Sequence, residues 1–214
     1  MKILVTGFDP FGGEKVNPAF EAVKLLPDKI GHIEVVKKEI PTVFKKGACE
    51  VEKAIEETKP DFVLCIGQAG GRSCISIEKV AVNLIEARIP DNEGNQPFDS
   101  LIFPDGETAY FSTLPVKAMA ENVRANGIPA YLSYSAGTYV CNEVMYSLLY
   151  TLKKKYPHVK GGFIHVPYTT AQAVSKPDGT ASWSEKTISD GLKYAIEAID
   201  KSESGINSDF GTTH

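Results

Sequence analysis

The chain has 214 residues, 43% of them hydrophobic and 23% charged, with a formal net charge of −4. That size and composition suit one globular domain with a sizeable core, stabilised without disulfides or a structural metal. The acidic balance argues against a nucleic-acid binder, and no apolar run is long enough to span a bilayer.

Lys2 to Thr6 reads KILVT, an apolar run ended by Gly7, and predicts a buried first strand. MKILVTGF enters that strand without a signal-peptide h-region or cleavage site, so a cytoplasmic location is expected. Asn17-Pro18 opens an apolar-periodic helix through Leu26, with Asn as N-cap and Pro at the first helical position. A strand is expected at Ile33 to Ile40, a helix at about Phe44 to Thr58, and a strand at Phe62 to Ile66, ended by Gly67. Ile75 to Ile89 is β-rich but punctuated by charges, which suggests an irregular or hairpin excursion. Pro90 to Thr113, rich in Pro, Asp, Asn and Gly, predicts a long ordered loop.

Thr113-Leu114-Pro115 starts a helix that Gly127 ends, and Pro129 to Ser133 is a strand. The next helix runs from Cys141 to about Tyr156; Lys153, Lys154 and Lys155 complement its negative end. Gly162 to Val166 is another strand, and Ser182-x-x-Glu185 reads as a capping box for a final helix that ends near Asp200. Residues 1–200 thus form one domain, followed by a polar, frayed tail at 201–214. Alternating strands and helices predict an α/β fold with an open, largely parallel sheet covered on both faces. Ligands bind such sheets outside the carboxyl ends of the strands.

Cys49, Cys65, Cys74 and Cys141 form no C-x-x-C pair and lack zinc-site spacing, so free thiols are expected in a reducing compartment. Cys141, in YLSYSAGTYVCNEVM, stands where a helix begins after a strand and a Gly137 turn. A helix start favours an anion, so this thiol should ionise more readily, and the unpaired first-turn N–H groups can hold an oxyanion. The plainer alternative is a small buried apolar residue. Cys65 lies inside an apolar strand, Cys49 within a helix, and Cys74 near a Gly-rich turn without an obvious base.

Of the histidines, only His165, in GFIHVPY, stands at the carboxyl end of a strand; His32, His158 and His214 do not. Because its strand directly follows the Cys141 helix, the two side chains can converge, as thiol chemistry requires. A core histidine is the alternative. A third group should fix the imidazole tautomer. Glu78, a carboxylate amid apolar residues, fits that role, unless it is a surface residue paired with Lys79; Asp91 and Asp99 stay open. Phe8 and Phe11 stand among Gly7, Gly12 and Gly13, where a solvent-facing loop is more usually polar, and offer apolar walls or pack as ordinary core. TGFDPFGG is neither a P-loop nor G-x-G-x-x-G, so no nucleotide is expected. Gln68 and Gly71, after the third main strand, can give polar or backbone contacts, and Val140 can wall a pocket beside Cys141.

The stretches TGFDPFGG (Thr6 to Gly13), NP (Asn17, Pro18), GGR with ISIEKVAVN (Gly70 to Asn83), ARIPDNEG (Ala87 to Gly94), SAGTYVCN (Ser135 to Asn142) and FIHVPY (Phe163 to Tyr168) span nearly the whole chain. In them the sequence resembles the pyrrolidone carboxyl peptidase, or pyroglutamyl peptidase I, family of cysteine peptidases. The resemblance implies a single-domain α/β/α sandwich and a Glu–Cys–His triad at Glu78, Cys141 and His165. It also implies substrate contacts from Phe8, Phe11 and Asn17, and places Arg88 near the site, acting on the oxyanion or on its own loop. Peptides with N-terminal pyroglutamate would be substrates, the assembly would be a homotetramer, and no cofactor or metal would be needed. Two rival readings remain: a transferase similar to nucleoside phosphorylases, which would require phosphate, and a small-molecule binding module with an inert Cys141.

Overall fold

The runs KILVTGF and FVLCIGQ contain almost no exposed residue and lie side by side at the centre of the protein. The structure, a computed structural model, describes residues 1–203. In chain order its elements are β1 (Lys2–Phe8), α1 (Pro18–Lys24), β2 (Lys29–Ile30), β3 (Ile33–Ile40), α2 (Lys46–Thr58), β4 (Phe62–Gln68), β5 (Ile75–Glu78), β6 (Val80–Val82), β7 (Ala109–Phe111), α3 (Val116–Ala125), β8 (Ala130–Ser133), α4 (Val140–Lys155), β9 (Lys160–Val166), β10 (Tyr168–Thr169), α5 (Thr170–Ala173), β11 (Ser182–Trp183) and α6 (Glu185–Glu203).

Seven strands form the main sheet in the order β2-β3-β1-β4-β9-β5-β8. Strands β3, β1, β4 and β9 run parallel, while β5 and β8 are parallel to each other and antiparallel to β9. Buried apolar side chains of α1, α3 and α6 pack on one face, and those of α2 and α4 on the other. The result is the expected three-layer α/β/α sandwich around a mostly parallel sheet. Both faces are covered, which is why the central strands are apolar throughout rather than alternating. Among the described residues no helix is long and apolar enough to cross a membrane.

Local signals placed most elements. Asn17 caps α1, its Oδ1 accepting the Ala19 N–H at 3.0 Å, and Pro18 occupies the first turn. Four readings change. Ile75–Glu78 is no excursion but a fully buried strand of the main sheet, because its neighbours β8 and β9 supply pairing that periodicity does not reveal. The long loop contains β7, which pairs with β6. Ser182 lies in β11; the cap of α6 is Ser184, whose Oγ accepts the Thr187 N–H at 3.1 Å. A capping box does occur elsewhere, between Thr169 and Gln172 at the start of α5. Finally, α6 continues to Glu203, so the first three residues assigned to the tail are helical, and the rest of the tail lies outside the described residues.

Candidate active site

The reversal at β5 sets up the site. Its register pairs Ser76 with His165 and Glu78 with Phe163, so Glu78 enters against the direction of β9. Alternation along each strand puts Ser76, Glu78, Phe163 and His165 on one face, the face that α4 covers. There Glu78 Oε1 and His165 Nδ1 lie 2.8 Å apart, and neither side chain is more than 4% exposed.

The sulfur arrives from the helix above. Gly67 of β4 is the register partner of His165. A Cβ on Gly67 would lie 2.9 Å from Cys141 Sγ and 2.8 Å from the Phe163 ring. The missing side chain therefore leaves the space in which the sulfur sits, beside the strand that carries the imidazole. Cys141 is half-buried in the second position of α4, and the first intrahelical bond runs from Glu143 N–H to Tyr139 O at 3.1 Å. The N–H groups of Val140, Cys141 and Asn142 precede that bond in the first turn of the helix.

Electrostatics modify the reading from sequence. Burial pushes the Cys141 thiol up to about 12, the Glu78 carboxylate pushes the same way, and Arg72 opposes. At that value Cys141 rests as a thiol, whereas a helix start taken alone favours the anion. For Glu78, burial raises the carboxyl pKa, but hydrogen bonds from His165, Ser133 and Arg72 and the charge of His165 hold it below the ordinary value. Glu78 is therefore an anion at neutral pH, and Nδ1 of His165 donates to it. Nε2 is then the ring nitrogen left without this carboxylate partner.

Cys141 and His165 line one pocket of 610 Å³, together with Phe11, Gln68, Arg72 and Arg88. Gln68 is oriented from behind, its Oε1 accepting the Gln172 Nε2–H at 3.1 Å. The remaining residues named from sequence stand back from the pocket surface. Phe8 is 2% exposed and packs on Phe163, with ring centroids 6.3 Å apart. Both polar ends of Asn17 are occupied, by Ala19 N–H and by Asp9 O at 2.9 Å. Val140 is fully buried in the core under α4, and Gly71 turns outward with φ +89°. Phe8, Asn17 and Val140 are taken up by the packing that forms these elements, whereas Gly71 is exposed. Glu78 pairs not with Lys79, whose Nζ lies 5.4 Å from the Phe111 ring centroid, but with Arg72 at 2.7 Å. Asp91 is engaged elsewhere: its carboxylate accepts the N–H groups of Phe44, Glu93 and Asn95 and so fixes the loop after Arg88.

Sequence reasoning passed over three residues. Gly67 was read only as a strand end, although a glycine inside an apolar strand signals close approach by another group. Arg72 was part of a motif with no role attached. Asn142 is fully buried and clamps β6, its Oδ1 accepting Val82 N–H at 3.0 Å and its Nδ2 donating to Val82 O at 2.9 Å and Leu84 O at 3.0 Å. A polar residue in an apolar helix start was its one signal.

A thiol, an imidazole and a buried carboxylate grouped at an open pocket, on a sheet of this topology, define the class of thiol-dependent hydrolases. The family model described as pyroglutamyl peptidase matches residues 1–202. The pyrrolidone-carboxylate peptidase of Enterococcus faecalis is 54% identical over 214 residues, covering 100% of both chains, and that of Clostridium botulinum is 58% identical over 198 residues, 92% of each. Among solved structures, pyroglutamyl peptidase I of Bacillus amyloliquefaciens superposes with a TM-score of 0.90 at 46% identity, covering 94% of this chain and 97% of that one. Pyrrolidone carboxyl peptidase of Thermococcus litoralis gives 0.93 at 39% identity, covering 100% and 99%. The chain belongs to the pyroglutamyl peptidase family of cysteine peptidases.

Proposed function

We propose that this enzyme removes N-terminal pyroglutamate from peptides through a thioester, with Cys141 as nucleophile, His165 as base and Glu78 as the group that orients it. The carrying observation is the seat of Cys141 Sγ on Gly67, the register partner of His165, while Glu78 holds the far side of that imidazole.

The chemistry follows from a resting thiol. His165 Nε2 takes the Sγ proton as sulfur attacks the pyroglutamyl carbonyl carbon, and the imidazolium so formed is stabilised by Glu78. Negative charge on the carbonyl oxygen is met by the free N–H groups of the first turn of α4. Collapse breaks the C–N bond, the imidazolium protonates the departing amine, and a thioester remains. Water then gives a proton to His165 and attacks the thioester, releasing pyroglutamate and restoring the thiol.

A pyroglutamyl ring is a neutral lactam with apolar methylenes, one N–H and one C=O. Phe11 supplies an apolar wall and Gln68 a polar group at the pocket surface, with Phe8, Asn17, Gly71 and Val140 shaping the loops behind. Arg88 is exposed at the rim, where its charge can assist the oxyanion or face the departing peptide. A glutaminyl N-terminus would bring an ammonium into this slot, which is costly without a partner.

We extend the reading to the cytoplasm and to a homotetramer. Free cysteines at 49, 65, 74 and 141 suit a reducing compartment, and the exposed apolar Phe98 and Leu101 suit burial between subunits. The test of function is hydrolysis of a chromogenic pyroglutamyl anilide by wild type and Cys141→Ser, without phosphate. Turnover by wild type alone supports the reading. A phosphate requirement would favour the transferase, and comparable cleavage of a glutaminyl anilide would refute the pocket. Light scattering tests the tetramer.

A further inference from the structure

The loop between β4 and β5 delivers a second cation to the triad. Gly70 and Gly71 shape that loop: a Cβ on Gly70 would fall 2.2 Å from the Tyr168 ring, and Gly71 has a φ that other residues rarely adopt. The next residue, Arg72, turns back over the end of β5. Its Nη1 donates to Glu78 Oε1 at 2.7 Å, the same oxygen that meets His165 Nδ1 at 2.8 Å, and its Nη2 donates to Ser135 O at 3.1 Å. One carboxylate oxygen is thus held between a guanidinium and an imidazole, and both of these residues line the pocket that Cys141 lines.

We propose that Arg72 is a positioning residue of this active site, which aims Glu78 at His165 and cancels the charge by which Glu78 would oppose ionisation of Cys141. The proposal rests on the assignment of Glu78, Cys141 and His165 above. Its physical basis is a count of charges. When the Cys141 proton moves to His165, a thiolate, a carboxylate and an imidazolium stand together, with Glu78 and His165 almost fully buried. Without Arg72 the group carries one uncompensated negative charge, and a low dielectric makes that expensive. With Arg72 the four charges cancel.

The ionisable groups around the sulfur support this division of labour. Glu78 from β5 raises the Cys141 thiol, Arg72 lowers it, and Cys65 from β4 adds a small opposing effect. Cys65 is itself neutral, its thiol pushed up to about 12 by burial. His165 from β9 is the proton acceptor, and Tyr139, at the cap of α4, is also pushed up to about 12 and stays neutral. Arg88 and Glu86 line the same pocket as the sulfur, and neither has an ion-pair partner among the described residues. Arg72 is the cation committed to Glu78.

The test uses the full-length enzyme and its R72M, R72K, E78Q and R72M/E78Q variants. Two readouts are compared: the pH at which Cys141 alkylation, followed by peptide mass mapping, reaches half its maximal rate, and kcat and KM on a pyroglutamyl anilide. R72M is expected to move the alkylation midpoint up by about one pH unit, and to lower kcat near pH 7 about tenfold with a smaller change in KM. R72K, which keeps the charge, is expected to retain the wild-type midpoint. In the E78Q background, R72M is expected to lower kcat no further, since the carboxylate it aims is gone, while its direct effect on the thiol persists. An unshifted midpoint in R72M, or the same proportional fall in kcat with and without Glu78, overturns the proposal. If R72M does not fold by circular dichroism, R72K decides: a shifted midpoint there would show that the Ser135 link, not the charge, matters. Turnover surviving in Cys141→Ser would instead sink the nucleophile assignment, whatever Arg72 does.

Discussion

Glu78 Oε1 and His165 Nδ1 meet at 2.8 Å although they lie 87 positions apart in the chain, and both side chains are almost fully buried. The contact exists because β5 runs against β9 and sets Glu78 diagonally across from the imidazole. Glu78→Gln keeps the shape of the side chain but removes the charge that stabilises an imidazolium. The expected outcome is a fall in kcat of about 10²- to 10⁴-fold with little change in KM. Steady-state kinetics check this, and a kcat within threefold of wild type (about 0.7 kcal/mol of barrier) would dismiss Glu78 from the triad.

The same carboxylate links stability to acid. Its pKa in the fold lies below the ordinary 4.5, so its contribution is fully present above pH 4.5 and is lost as pH falls through the folded value. Urea melts between pH 3 and pH 6 should therefore show a shallower acid limb in Glu78→Gln than in wild type. Identical limbs would count against the ionised form.

Gly67→Ala probes the seat of the nucleophile. The added methyl would meet Cys141 Sγ at 2.9 Å and the Phe163 ring at 2.8 Å, both too close for a real contact. Sulfur must move, and a displacement of this kind is expected to lower kcat about 10²-fold. Overpacking should also cost about 1–3 kcal/mol in thermal or urea unfolding. Undiminished turnover would mean that the sulfur does not act from this position.

Glu143, two residues beyond the nucleophile, is a buried carboxyl with no evident part in the reaction. Burial pushes its pKa up to about 7; Ser147 Oγ donates to Oε1 at 3.1 Å, and Oε2 has no hydrogen-bond partner among the described residues. Below pH 4.5 the group is protonated in both folded and unfolded chains and costs nothing. Above the folded value the native state must carry a buried charge, so stability falls as pH rises through that interval, by up to about 3 kcal/mol. Glu143→Gln should stabilise the protein at pH 8 and leave it nearly unchanged at pH 4. Equal effects at the two pH values would contradict the assignment.

Asp91 holds the loop that carries Arg88 past the pocket. Its Oδ1 accepts from Glu93 N–H and Asn95 N–H, each at 2.9 Å, and its Oδ2 from Phe44 N–H at 3.0 Å. Asp91→Ala leaves these donors unpaired, at about 1–3 kcal/mol for each that stays buried. Because the triad is untouched, KM for the anilide should rise about tenfold while kcat changes less. A loss confined to kcat would place Asp91 in the chemistry instead.

Sequence alone determined what depends on near neighbours. The cap at Asn17, the helix opening at Cys141 and the strand end at His165 are set by adjacent residues. So is the apolar character of Lys2–Phe8 and Phe62–Gln68, and together these delimited the layers and two of the proposed catalytic groups. Tertiary structure decided everything that rests on partners far along the chain. It made Ile75–Glu78 a central strand, aimed Glu78 at His165 and Arg72, and placed sulfur on the bare backbone of Gly67. It also drew Phe8, Asn17 and Val140 behind the pocket wall, and kept Cys141 a thiol where a helix start by itself favours the anion. The physical reason is that burial and charge balance are sums over all surrounding groups, and chain folding chooses those groups from across the whole sequence.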